Sequence, residues 1–138
     1  MKLTPATRQR LEKSARRAAV HAYCPYSKFR VGAAVLTASG KIFSGCNVEN
    51  ASFGLCNCAE RTAIFTAVAE GENAIAALVI YTPTDTPTAP CGACRQVLNE
   101  FGPNAFVISV CDGQKRLEAS LPELLPAAFG PATLPRQT

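Results

Sequence analysis

Two of the predicted helices begin with cysteine. Cys58 opens the segment Cys-Ala-Glu, while Cys91 and Cys94 lie in Pro-Cys-Gly-Ala-Cys. A Cys-x-x-Cys spacing in a first helical turn lets two thiolates point at one metal ion, and Cys58 can supply a third ligand from a neighbouring helix start. Three protein ligands with one tetrahedral position left open is the arrangement of catalytic zinc. The fold is therefore expected to bring these two helix N-termini together.

The cysteine count leaves two other interpretations of these residues. The chain has seven cysteines and one histidine, and an odd number without a secretory signal favours metal binding or buried thiols over disulfides. Cys91 and Cys94 alone would fit a redox dithiol, which has no need of a third cysteine followed by glutamate. Cys56 could add a fourth ligand and close a structural zinc site, which would have no need of Glu60.

The residues that follow Cys58 can act on a metal centre without binding the metal. Glu60 lies two positions further on, where a carboxylate can take a proton from an activated water and return it to a substrate. Two interpretations of Arg61 stay open. It can donate hydrogen bonds to the thiolates and offset their negative charge, or it can be an ordinary solvent-exposed residue of the helix.

The order of hydrophobic patterns predicts an α/β fold. Thr4 and Pro5 give the first helix an N-cap and a proline at its first position, and Asp112-Gly113 is a tight-turn signal that makes the last strand antiparallel. We predict helices over residues 5–22, 58–69, 91–101 and 121–129, and strands over residues 30–36, 41–48, 76–81, 105–111 and 114–118. This order gives a mixed sheet with helices on its faces.

Length and charge narrow the class of protein. A chain of 138 residues has the length of one typical domain, so we predict a single domain over residues 1–138. Neither a membrane span nor a secretory signal is predicted, which indicates a cytoplasmic protein. Residues 1–30 carry a net charge of +7 and the remainder −3. Because no aromatic residues are interleaved with the basic ones, we interpret them as a solvated helix face and predict no nucleic-acid partner.

The combination of Cys-x-Glu with Pro-Cys-x-x-Cys is a signature of zinc nucleobase deaminases. Over about residues 23–134 the sequence resembles the small homotetrameric cytidine deaminases. The matching stretches are Cys24-Pro25-Tyr26-Ser27, Phe29, Val31-Gly32-Ala33-Ala34, residues 45–51, residues 58–63, residues 90–96 and residues 124–131. The resemblance implies a three-layer α/β/α fold with a mixed five-stranded sheet, one zinc ion per chain, and hydrolysis of cytidine and deoxycytidine in pyrimidine salvage.

The resemblance also implies roles for individual residues. Zinc is expected on Cys58, Cys91 and Cys94, with Glu60 as the proton shuttle. Asn47 and Glu49 are expected to bind the ribose hydroxyls, since an amide and a carboxylate can together donate to and accept from a vicinal diol. The remaining expected substrate contacts are the Phe29 ring on the pyrimidine, the Ala59 backbone N–H on the base, and Ala51, Phe53 and Phe129 in a neighbouring subunit's site.

Alternatives remain for the phenylalanines and for the substrate. Each phenylalanine could instead be core, and Phe53 stands where many relatives have tyrosine. The run from Leu124 to Phe129 has five apolar residues in six, which predicts contact with a partner. Deaminases of nucleoside antibiotics such as blasticidin S share the cysteine motifs, but Asn47-Val48-Glu49-Asn50 favours a ribose-binding enzyme. An enzyme that edits nucleic acids is less favoured, because no basic groove is evident beyond the first helix.

Overall fold

A five-stranded sheet runs through the centre of the molecule, and four α-helices pack on it. The computed structural model describes residues 3–135. The strands are β1 (Gly32–Thr37), β2 (Ile42–Cys46), β3 (Ile75–Tyr81), β4 (Phe106–Val110) and β5 (Leu117–Ser120). The helices are α1 (Pro5–Val20), α2 (Ala59–Ala69), α3 (Gly92–Phe101) and α4 (Leu121–Leu124), with short 3₁₀ helices at Phe53–Leu55 and Pro131–Thr133.

The strand order is β2-β1-β3-β4-β5, and the sheet is mixed. β1 is antiparallel to both β2 and β3, and β4 is antiparallel to β5. β3 and β4 are parallel, as expected for two strands joined by a helical crossover through α3. The predicted mixed sheet and its antiparallel last strand are confirmed.

The side chains of β1 alternate between two hydrophobic layers. Ala33 and Val35 face the layer that includes residues of α2, α3 and α4, whereas Ala34 and Leu36 face the layer that α1 covers. All six residues of β1 are buried, because this central strand has helices on both faces. The predicted three-layer α/β/α architecture is therefore confirmed.

Two glycines allow the helices to approach the sheet closely. A Cβ at Gly32 would lie 1.9 Å from the carbonyl oxygen of Ala15 in α1. A Cβ at Gly45 would lie 2.5 Å from the backbone nitrogen of Ala63 in α2. Because β2 has no side chain at this point, α2 lies directly on the strand. This packing fixes the position of the α2 N-terminus, where Cys58 is the N-cap residue.

The last two elements differ from their predicted ranges. β5 occupies Leu117–Ser120, not residues 114–118, so a six-residue connection follows β4 where a two-residue turn was predicted. Asp112 does not form that turn because it is held by tertiary contacts: its backbone N–H donates to the Thr84 carbonyl (2.9 Å), and its carboxylate accepts from the Tyr81 hydroxyl (2.6 Å).

The predicted helix over residues 121–129 ends at Leu124. Leu125 precedes Pro126, which disfavours helical backbone at the residue before it, and Leu125 has φ −139° and ψ 69°. Ala127 then has φ 52°, in the left-handed region, so the chain turns away from the helix axis.

The first helix begins as predicted, with the Thr4 hydroxyl accepting the Thr7 N–H at 3.1 Å. Two basic residues of this helix contact strands of the sheet. Arg8 forms a salt bridge with Glu118 (2.7 Å), and the Arg16 guanidinium stacks 4.4 Å above the ring of Tyr81. Within residues 3–135, no helix combines the length and the hydrophobicity needed to cross a membrane.

Candidate active site

Three thiols meet at the N-termini of two helices. Cys58 is the N-cap of α2, Cys91 is the N-cap of α3, and Cys94 lies in the first turn of α3. Their sulfur atoms all lie within 4.8 Å of one another, with 3.9 Å between Cys58 and Cys91 and 3.5 Å between Cys91 and Cys94. The expected convergence of these two helix starts is therefore observed.

Cys56 is not part of this thiol cluster. Its sulfur accepts a hydrogen bond from the Asn50 N–H (3.3 Å) and donates to the Asn50 carbonyl (3.6 Å), so it belongs to the loop that precedes α2. Within the described residues 3–135, the group of potential metal ligands at this point consists of Cys58, Cys91 and Cys94. The arrangement favours three ligands and an open position over a closed four-cysteine site.

The surroundings of the cluster stabilise a thiolate. Arg61 donates from Nη2 to the Cys58 sulfur at 3.3 Å. A hydrogen bond from the Cys94 thiol, together with the Arg61 guanidinium, lowers the pKa of Cys58 to about 5. The hydrogen bond to Cys58 and burial raise the pKa of Cys94, so of these two thiols Cys58 loses its proton first. Of the two interpretations of Arg61, the structure favours the thiolate partner over the solvent-exposed residue.

The donor set fits a zinc ion. Zinc prefers thiolates as ligands, and a Cys₃ set leaves one tetrahedral position for water or substrate. Arg61 supplies a positive charge beside the sulfurs, and two helix N-termini favour negative charge at the same point. The Nε of Arg61 is buried and has no hydrogen-bond partner within the described part of the chain. The guanidinium is therefore directed at the cluster rather than at another acceptor.

Glu60 is buried next to the thiols in the first turn of α2. Only 5% of the residue is exposed, and this burial raises the pKa of its carboxyl, with a further rise from the negative charge on Cys58. A carboxyl with a raised pKa holds a proton more readily than an ordinary glutamate, which suits a group that must both accept and donate a proton during a reaction. Glu60 is not among the clustered potential ligands.

A cavity of about 270 Å³ joins these groups to the polar loop that follows β2. Its wall includes Cys58, Cys91 and Glu60 from the metal site, together with Asn47 and Glu49 from that loop. A mostly apolar cavity with a few polar groups in its wall can bind and orient a small ligand that carries polar groups of its own. The remaining lining residues are Ser27, Phe29, Val31, Cys56, Asn57, Ala59, Ile80, Thr88 and Ala89.

The side chain of Asn47 is mostly used within the protein. Its Oδ1 accepts the Val31 N–H at 2.9 Å, and its Nδ2 donates to the Phe29 carbonyl at 2.7 Å. An amide nitrogen carries two hydrogens, so one donor is left for a ligand. The amide oxygen also has a second acceptor site, so the expectation that Asn47 binds a sugar hydroxyl stays a prediction.

Glu49 is held by the loop between α1 and β1. Its Oε1 accepts the N–H groups of Tyr26 (3.0 Å) and Ser27 (3.1 Å), and its Oε2 accepts the Ser27 hydroxyl. The hydrogen bond from the Ser27 side chain, with these two backbone donors, lowers the pKa of the Glu49 carboxyl. Glu49 is therefore a charged acceptor with a fixed orientation at neutral pH.

Comparison with known proteins identifies the family. The sequence model described as the cytidine and deoxycytidylate deaminase zinc-binding region matches residues 5–110. The chain belongs to this family. As a zinc-dependent deaminase, it has zinc as its cofactor, and Cys58, Cys91 and Cys94 form the cluster whose donors suit that ion.

Relatives of this deaminase are similar over most of their length. The cytidine deaminase of Halalkalibacterium halodurans is 47% identical over 123 residues, covering 88% of this chain and 93% of that protein. The cytidine deaminase of Mycobacterium tuberculosis is 42% identical over 127 residues, covering 92% of each chain. The crystal structure of the Burkholderia pseudomallei cytidine deaminase superposes with a TM-score of 0.85 at 48% identity, covering 92% of this chain and 100% of that one.

Two further expected contacts of the deaminase lie at the cavity, and three lie on the surface. Phe29 and Ala59 line the cavity. Phe53 and Phe129 are 73% and 60% exposed, and Ala51 is exposed as well, so the alternative that these two phenylalanines are core is wrong. Phe53 lines a shallow recess beside Glu49, where its ring contacts that of Tyr26 (5.8 Å between centroids).

Sequence reasoning gave no role to Ser27, although the serine binds Glu49 and lines the cavity. Thr88 and Ala89, in the loop before α3, also line the cavity and were not singled out. The available signal for Ser27 was its position, two residues before Phe29 in a polar loop between a predicted helix and a predicted strand. Its partner Glu49 is 22 residues away, so the sequence alone does not reveal the contact.

Proposed function

We propose that this deaminase hydrolyses cytidine and deoxycytidine to uridine or deoxyuridine and ammonia, as a cytoplasmic enzyme of pyrimidine salvage. One observation carries the proposal: a single cavity is lined by Glu60 and two members of the thiol cluster, Cys58 and Cys91, and also by Asn47 and Glu49. A pyrimidine nucleoside has the matching polarity, with an exocyclic amine at one end and sugar hydroxyls at the other. The relatives named cytidine deaminase support the same substrate.

In this proposal Cys58, Cys91 and Cys94 hold zinc. When bound, zinc supplies a Lewis acid that lowers the pKa of a water to about 7 and so provides hydroxide at neutral pH. Glu60 takes the proton released from the water and delivers it to N3 of the base. The water oxygen bonds to C4 and then loses its second proton to Glu60, which carries this proton to the leaving amine as the C4–N4 bond breaks, so that water and cytidine give uridine and ammonia.

The other cavity residues orient the nucleoside. The ring of Phe29 packs on the pyrimidine, and the backbone N–H of Ala59 contacts the base. Glu49 has about four acceptor sites, of which three are occupied, and Asn47 has one free N–H. The oxygen of Asn47 also keeps a second acceptor site, so these groups can bind a sugar hydroxyl that both nucleosides carry, which supports turnover of cytidine and deoxycytidine.

We further propose that residues 1–138 form one domain, and that four copies assemble into a homotetramer with shared sites. The single sheet through residues 3–135 supports the first point. The exposure of Phe53 and Phe129 supports the second, since large exposed apolar side chains are typical of interfaces. In this assembly Ala51, Phe53 and Phe129 reach a neighbouring subunit's cavity. All seven cysteines are free thiols, which is consistent with a reducing cytoplasm.

The test is a deaminase assay with metal analysis. Purified protein should release ammonia from cytidine and deoxycytidine, contain one zinc per chain, and lose activity when a chelator removes the metal. Blasticidin S and free cytosine serve as comparison substrates. Zinc-loaded protein that leaves cytidine unchanged, or that prefers blasticidin S, would contradict the proposal.

A further inference from the structure

The loop between α1 and β1 forms a tight turn at one wall of the cavity. The N–H of Lys28 donates to the Cys24 carbonyl at 2.9 Å, which closes the turn. Lys28 has φ 61°, a left-handed conformation that residues other than glycine adopt in only a few per cent of cases. After this residue the chain enters the segment of Phe29, whose ring lines the cavity. The turn therefore determines where that ring lies.

Within this turn, Ser27 makes two hydrogen bonds through one oxygen. Its hydroxyl donates to Oε2 of Glu49, and the same oxygen accepts the Phe29 N–H at 3.0 Å. A hydroxyl has one donor and two acceptor sites, so both bonds form together. Ser27 thus connects a side chain expected to bind the sugar with the backbone of a residue expected to bind the base.

Glu49 depends on this connection for its orientation. The residue is half-buried and lies in the loop beyond β2, where a long side chain has several rotamers of similar energy. The N–H groups of Tyr26 and Ser27 both bind Oε1, so the Ser27 hydroxyl is the only protein donor to Oε2 among the described residues. Its removal would leave the carboxylate free to rotate about Oε1.

We propose that Ser27 is a positioning residue for nucleoside binding, which acts by holding the Glu49 carboxylate in the orientation that accepts a sugar hydroxyl. The inference rests on the proposed function and extends it to a residue that does not itself have to contact the nucleoside. Ser27 acts on binding, whereas Glu60 and the thiols perform the chemistry and lie at least 31 residues further along the chain (58 − 27 = 31). Its loss should therefore affect KM and leave kcat nearly unchanged.

The experiment compares Ser27→Ala with Ser27→Thr, which keeps the hydroxyl. Ser39→Ala is a matched control, because Ser39 also donates to a half-buried glutamate, Glu72 (3.0 Å), outside the cavity. With cytidine, Ser27→Ala should raise KM about fivefold to tenfold, the size expected for one lost hydrogen bond to a charged group near water. Ser27→Thr and Ser39→Ala should keep the parental KM, and all three variants should unfold at the parental temperature.

A double-mutant cycle with Glu49→Ala identifies the partner through which Ser27 acts. In the Glu49→Ala background, Ser27→Ala should change KM less than twofold, since no carboxylate remains to be oriented. An unchanged KM for Ser27→Ala in the parental background would overturn the inference, and so would an equal rise in KM in both backgrounds. If Glu49→Ala alone leaves KM unchanged, the sugar-binding role of Glu49 is wrong and the inference fails with it. A parent protein without cytidine turnover would overturn the proposed function itself.

Discussion

The side-chain amide of Asn47 donates a 2.7 Å hydrogen bond to the backbone carbonyl of Phe29. The same amide accepts the Val31 N–H at 2.9 Å, so Asn47 spans the segment that leads from the loop into β1. A residue expected to bind only the sugar therefore also holds the backbone of the residue expected to stack on the base. One side chain, Asn47, therefore contributes to the binding of both the sugar and the base.

This dual role predicts a combined effect of Asn47→Ala. The substitution leaves the Val31 N–H and the Phe29 carbonyl without a partner, and one unpaired buried group costs roughly 1–3 kcal/mol. We expect the free energy of unfolding to fall by about that amount and KM for cytidine to rise. Asn47→Asp keeps the acceptor for Val31 and should lose less stability than Asn47→Ala, while still raising KM. Chemical denaturation and steady-state kinetics measure the two effects, with exposed Asn104→Ala as the control. A rise in KM without loss of stability would show that the amide acts on the ligand alone.

Glu60→Gln is expected to abolish most turnover while the protein keeps its zinc. Glutamine has nearly the shape of glutamate but cannot carry a proton between water and base. The loss should exceed the ~10²–10⁴ typical of a single acid–base group, because Glu60 acts in more than one step. Zinc content by atomic absorption, measured beside kcat, provides the check. A parallel loss of zinc would mean that Glu60 binds the metal.

The hydrogen bonds of Cys56 predict that its substitution spares the metal. Cys56→Ser should retain one zinc per chain and most activity, since the Cys56 sulfur is engaged with Asn50 and the hydroxyl can make similar contacts. Cys58→Ser, Cys91→Ser and Cys94→Ser should each lose metal, because a hydroxyl is a poor zinc ligand beside thiolates. Metal analysis of the four variants after dialysis distinguishes the variant that keeps zinc from those that lose it. Loss of zinc from Cys56→Ser would contradict the three-ligand site.

The pKa of the Glu49 carboxyl is expected to rise when Ser27 is replaced by alanine. Hydrogen bonds from Ser27 and the neighbouring N–H groups lower this pKa, so the carboxylate stays charged at a pH where an ordinary glutamate, with a pKa near 4.3, is protonated. The stabilisation of the loop is therefore complete above about pH 4.3 and is lost as the pH falls through the lowered value. In Ser27→Ala the titration should move upward toward the ordinary value. Carboxyl ¹³C NMR measures the pKa of Glu49 in the parent and in Ser27→Ala. Identical titrations would contradict the role of Ser27 in lowering this pKa.

Phe129→Ala is expected to affect catalysis more than folding. Since the ring is 60% exposed in the single chain, its removal leaves no core cavity, and the unfolding temperature should change little. In the proposed tetramer the ring closes a neighbour's cavity, so KM should rise about tenfold, given that burying a phenylalanine is worth roughly 1.5–3 kcal/mol. Sedimentation, thermal melting and kinetics together test this. A monomer with full activity would rule out shared sites.

Local patterns predicted most of the fold, and they failed where a distant contact decides the local structure. The helices that begin at Cys58 and Cys91 were predicted to within one residue, because cysteine at the N-cap and the apolar spacing of each helix agree. Asp112-Gly113 has the sequence of a tight turn, yet Asp112 is held by Tyr81 from the neighbouring strand. The end of α4 was a missed local signal, because Pro126 makes Leu125 a poor helical residue.

The candidate site likewise has a part that the sequence could predict and a part that it could not. The metal cluster could be predicted because its residue types and their spacing carry the chemistry. The partners of Asn47 could not, since nothing in a sequence shows that an amide oxygen is already occupied by the Val31 N–H. The contact of Ser27 with Glu49 joins two loops that are 22 residues apart and meet only once β1 and β2 have paired.

The thiol cluster has a consequence for the order of folding. Cys58 and Cys91 are separated by 33 positions, a stretch that includes all of α2 and β3, so bringing the two thiols together closes a long loop that contains a central strand of the sheet. A chain that has not completed this step has only the Cys91–Cys94 pair and holds a metal ion weakly. Tight binding of a spectroscopically visible substitute such as Co²⁺ would therefore report the moment at which the two halves of the chain come together during refolding.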